Sequence, residues 1–122
     1  MTEIYFVVQL LDENEQKLEG DLFQKICQEP VPAHDGLTME TFINPVGDNF
    51  FGRTSASKFE VFLSKLSAKY PDVFFTVFRE GEEYDDRWWY VYKNGIKHET
   101  CLVIDPPPID RGYFGLKPLQ QL

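Results

Sequence analysis

Cysteine is nearly absent from this chain: Cys27 and Cys101 are the only two in 122 residues, and neither belongs to a CxxC pair. That excludes a disulfide-dense scaffold and leaves two reduced, buried thiols as the simplest reading. Histidine is equally scarce. His34 and His98 stand alone, and the His34-Asp35 dipeptide lacks the further ligands of a metal site, so no metal or cofactor is expected. The glycines form neither a GxxxxGK[ST] nor a GxGxxG phosphate cradle. No apolar run reaches the roughly eighteen residues that would mark a membrane span. Met1-Thr2-Glu3 opens without a cationic leader or an apolar signal region. The expectation is a cytoplasmic protein with no membrane attachment.

Positive charge is the other thing in short supply. Asp and Glu number 20 against 12 Lys and Arg, a formal net charge of -8. All of that excess lies in residues 1–50, where Glu3, Asp12, Glu13, Glu15, Glu19, Asp21, Glu29, Asp35, Glu40 and Asp48 face only Lys17 and Lys25. Such asymmetry favours basic protein partners and repels phosphate backbones. Aromatic residues are plentiful at 16%, so the chain has bulk for a core and is no disordered acidic tail. Its length suits one domain over residues 1–122.

Patterning supplies the elements. Ile4 to Leu11 is apolar and β-branched or aromatic, as in a central strand. A first helix is expected in 14–28, broken at Gly20 and ended by Pro30 and Pro32, and an alternating strand over Leu37 to Ile43. Asn44 to Arg53 reads as loop. Ala56 to Tyr70 repeats Phe59, Phe62, Leu63, Leu66 and Tyr70 on one helical stripe, with Ser57 and Glu60 as a capping box and Pro71 as a stop. Three strands follow, Val73–Glu80, Arg87–Lys93 and Ile96–Asp105, before Pro106-Pro107-Pro108 and a tail that packs through Tyr113, Phe114, Leu116 and Leu119.

Asn94-Gly95 is a strong hairpin signal, because both central positions of a type I′ turn need positive φ. A two-residue turn pairs Lys93 with Ile96, Val91 with His98, Trp89 with Thr100 and Arg87 with Leu102 on one face, which is apolar enough to receive helices. On the other face Tyr92 pairs with Lys97, Tyr90 with Glu99 and Trp88 with Cys101. Those three rings among charges have the composition of a contact surface, unless the C-terminal tail or the Phe50-Phe51 loop covers them.

The order of elements predicts an α+β sandwich with two helices on one face of a mostly antiparallel sheet and a C-terminal three-strand meander. The stretch from Leu37 to Glu99, with Lys65-Leu66-Ser67-Ala68-Lys69-Tyr70-Pro71-Asp72-Val73-Phe74-Phe75, an acidic turn and Lys93-Asn94-Gly95, resembles the YubB-type ferredoxin-like domains of plasmid and phage proteins. The resemblance covers about half of the chain. It implies a ferredoxin-like topology and a mobile-element setting, and it brings no catalytic residues.

No constellation specifies a reaction. His98 and Cys101 are three apart, so on an extended strand they point to opposite faces. Glu82, Glu83, Asp85 and Asp86 do not match a calcium loop. Three function classes follow. The first is a non-enzymatic immunity or anti-defence type protein that docks on a basic partner and inhibits or regulates it, through Trp88, Tyr90 and Tyr92 together with Asp12, Glu13, Glu15, Glu19, Asp21, Glu82, Glu83, Asp85 and Asp86. The second is a single-stranded nucleic-acid module stacking bases on the sheet, which the acidity opposes. The third is an enzyme or ligand-binding domain with a pocket near His98, Tyr90 and Arg87. A homodimer through the aromatic face is left open.

Overall fold

The computed structural model describes residues 4–32, 36–43, 50–51, 53–81, 87–101 and 108–119. In chain order the elements are β1 (Ile4–Leu11), α1 (Asp21–Cys27), α2 (Glu40–Ile43), β2 (Phe50–Phe51), α3 (Arg53–Lys69), β3 (Phe74–Glu80), β4 (Arg87–Lys93) and β5 (Ile96–Cys101). The strands form one sheet in the order β2-β1-β3-β4-β5, and every neighbouring pair is antiparallel. This is an α+β fold. The four long strands, β1, β3, β4 and β5, lie side by side in the order the chain makes them, whereas a ferredoxin-like sheet interleaves split β-α-β units.

Alternation of side chains decides which face holds the core. Ile4, Phe6, Val8 and Leu10 of β1 are buried while their odd-numbered neighbours are mostly half-exposed. Register carries that face onto Phe75 and Val77 of β3 and onto Tyr90 and Tyr92 of β4. The helices cover this face. Phe59, Leu63 and Leu66 of α3, Phe42 of α2 and Ile26 of α1 pack into the same cluster, with the Phe59 ring 5.0 Å from Phe6 and 4.8 Å from Phe42.

Three local expectations are corrected. Leu37 to Ile43 makes a single bridge, Thr38 to Pro30, and then turns into α2. Met39, Phe42 and Ile43 sit three and four apart, so a helical turn sends Met39 and Phe42 inward together. The first helix is shorter than 14–28, because residues 12–17 fold into a turn and the chain passes Gly20 at φ 90 before α1 begins. α3 likewise starts at Arg53, which leaves Ser57 and Glu60 inside the helix instead of capping it.

The β4–β5 turn has Asn94 at φ 51 and Gly95 at φ 80, the backbone that a two-residue turn requires. Lys93–Ile96, Tyr92–Lys97, Val91–His98 and Tyr90–Glu99 pair as expected. Beyond them a bulge shifts the register, so Trp89 faces Cys101 instead of Thr100. Thr100 instead donates its hydroxyl to the Trp89 carbonyl at 3.2 Å. The tip is tied to α3, for the Gly95 N–H donates to Ser67 Oγ at 2.9 Å and Ser67 donates to the Ser64 carbonyl at 2.8 Å.

Candidate functional site

The ring face named from the sequence is closed. Tyr92 is fully buried, Tyr90 is 6% exposed and Trp88 packs against the same core. Pairing parity was legible, but β4 is apolar on both sides. The helices settle on the side that continues as Phe6, Val8, Phe75 and Val77. Among the described residues the Tyr92 hydroxyl has no hydrogen-bond partner. Burial, reinforced by Glu60 and the Tyr90 phenol, pushes its ionisation far above the ordinary tyrosine range. The Lys97 ammonium stands 4.2 Å from the Tyr90 ring centroid and 3.0 Å from Glu60, sealing the edge of this layer.

The opposite face is crossed at one end by the C-terminal segment 108–119. Phe114 meets Phe74 edge-on at 5.8 Å, and Tyr113 stacks on His98 at 3.9 Å and 18°. The Tyr113 hydroxyl donates to the Lys97 carbonyl. His98 and Arg87 therefore lie on one face and Tyr90 on the other, so the proposed pocket of those three residues does not assemble.

The acidic residues of 12–21 divide into two groups. Asp12 is used internally, its Oδ1 accepting the N–H groups of Asn14 and Gln16 at 2.8 and 3.0 Å. Glu15, at φ 61, accepts from Arg111 at 3.1 Å, and the same guanidinium donates to the Glu13 and Lys117 carbonyls. Both carboxylates are half-exposed and engaged within the chain. Glu13, Glu19 and Asp21 are exposed, Glu13 with its Oε1 4.0 Å from the buried Lys93 ammonium. Glu82, Glu83, Asp85 and Asp86, and with them His34, lie outside the described residues.

The acidic segment is firmly mounted. Leu11 and Lys17 form a β-bridge, and the Leu18 N–H donates to the Leu10 carbonyl at 3.0 Å. Between this segment, the end of β1 and α1 lies a groove of about 710 Å³. Val8, Leu10, Leu11, Leu18, Phe23 and Ile43 give it an apolar floor, and Gln9, Lys17, Glu19 and Gln24 supply its polar rim. Sequence reasoning identified Glu19 but not the groove. Its one signal was Leu18, a lone apolar residue in the polar run 12–20, which folds back to 8% exposure.

At the end of α1, Cys27 is buried, and burial first, then the Glu40 carboxylate, raises its thiol above the usual range. The thiol stays protonated and unreactive at neutral pH. Among the described residues no helix is long and apolar enough to cross a membrane. Comparison with protein-family models, curated proteins and solved structures finds no match for this chain.

Proposed function

We propose that this chain is a non-enzymatic binding protein that docks on a basic partner protein and inhibits or regulates it. The observation that carries this reading is the exposed carboxylate of Glu19 at the rim of a groove with an apolar floor, with exposed Asp21 two residues on, both on a firmly mounted stretch. Fixed charge at the rim steers encounter, and an apolar recess supplies residence. The anchor role thus passes from Tyr90 and Tyr92, which are enclosed, to the groove. An anti-defence or immunity setting accords with the resemblance of residues 37–99 to plasmid and phage domains. The nucleic-acid reading draws no support from Tyr90 and Tyr92, since rings beneath the helices cannot stack on bases.

The test is capture from source-cell extract at low ionic strength, followed by association kinetics of the purified pair. A basic partner should be retained, and its association should slow as salt rises. Charge reversal by Glu19→Lys with Asp21→Lys should slow association about tenfold or more at low salt. Failure to retain any basic partner at low salt would overturn the reading.

A further inference from the structure

We infer that the groove between β1 and α1 seats a large apolar side chain of the partner, carried on a segment with Lys or Arg to either side. This rests on the docking reading and names the chemistry of its contact. The volume of about 710 Å³ falls within the range of sites that take compact ligands, roughly 300–1,000 Å³. It is ample for one aromatic or branched side chain with its backbone.

Floor and rim ask for different things. Leu11, Phe23 and Ile43 keep half-exposed apolar side chains in the groove, so a side chain set against them gains from leaving water by being apolar. At the rim, Glu19 is exposed, and Asp21 follows one residue beyond Gly20. Glu40, which opens α2, is exposed as well. Against Glu19, Asp21 and Glu40 stand Lys17, which shares the rim with Glu19, and Lys25. The surplus is negative, so cationic neighbours of the inserted side chain are favoured and acidic ones repelled.

The mouth is preformed. Gly20 holds φ 90, and a Cβ built there would meet nothing within 4 Å, so the chain bends without filling the entrance. The backbone bond from Leu18 to Leu10 fixes the wall before any partner arrives. A wall already in place spares the cost of ordering a loop on association.

Amide spectra of the full chain, titrated with three defined hexapeptides, test the inference. Lys-Lys-Leu-Trp-Lys-Lys should shift the amides of Leu18, Phe23 and Ile43. Lys-Lys-Ser-Ser-Lys-Lys, of equal charge, and Glu-Glu-Leu-Trp-Glu-Glu, of equal apolar content, should leave them unmoved at the same millimolar concentration. Gln24→Trp, an exposed rim position, should weaken the first peptide at least tenfold by filling the groove while preserving the remaining spectrum. Equal shifts with the serine peptide, or shifts centred away from those three amides, would overturn the inference. A captured partner whose affinity is unchanged by Gln24→Trp would also overturn it while the docking reading stood. Absence of any captured partner would strike the docking reading itself.

Discussion

The two faces of the sheet are covered by different physics. On one, helices lay Ile26, Phe42, Phe59, Leu63 and Leu66 over a continuous apolar layer that excludes water from Phe6 to Tyr92. On the other, the segment 108–119 covers one end with two rings and holds itself there through Arg111. The first cover is made by area, and its strength grows with each buried carbon. The second combines ring contacts on Phe74 and His98 with directed bonds from Arg111, so part of its hold is concentrated in a few atoms. A closed face built by area cannot serve as a reversible contact surface, which is why the rings of β4 are unsuited to the role their composition suggests.

The sharpest way to break the comparison is Phe59→Ala. Phe59 is fully buried against Phe6 and Phe42, and its loss should cost about 3–5 kcal/mol in urea unfolding. Arg111→Met should cost less, about 1–2 kcal/mol, because its guanidinium serves Glu15 and two carbonyls at the margin of solvent. Hydrogen exchange in this variant should rise across 108–119 and leave β1 and β3 protected. Uniform loss of protection would show that the two covers are a single cooperative unit.

Tyr92→Phe sharpens the same contrast at the smallest scale. Among the described residues the buried hydroxyl has no partner, so removing it should be neutral or stabilising by up to about 1 kcal/mol. The raised ionisation of Tyr92 means that the native state holds its phenolic proton more tightly than the unfolded chain does. Its contribution is therefore intact below about pH 10 and is lost as pH climbs further, at roughly 1.4 kcal/mol per pH unit. Tyr92→Phe should flatten the alkaline limb of the stability curve by one proton, which urea unfolding at a series of pH values would detect.

What was legible in the sequence was local or periodic. Asn94-Gly95 declared its turn because few other residue pairs tolerate that backbone, and four strand pairs followed from it. The bulge at Trp89 left no mark, since Thr100 is an ordinary strand residue until its hydroxyl finds a carbonyl. The side of β4 that faces the helices was undecidable from β4 alone, with Trp89 and Val91 as apolar as Tyr90 and Tyr92; it is set by β1 and β3. Met39, Phe42 and Ile43 suit a strand or a helical turn until their partners are known. At the candidate site the acidity of 12–21 was plain. The diversion of Glu15 to Arg111 was not, because 96 residues separate them.

The hydroxyl of Ser67 has a consequence for how the sheet is aligned. It accepts the Gly95 N–H and passes its own proton to Ser64 from a position closed to water. Sliding the hairpin along the helix by one residue would give up that bond, a loss on the order of 0.5–1.5 kcal/mol. One small side chain on α3 thus works as a positional stop, letting a helix dictate to two strands where their shared tip must lie.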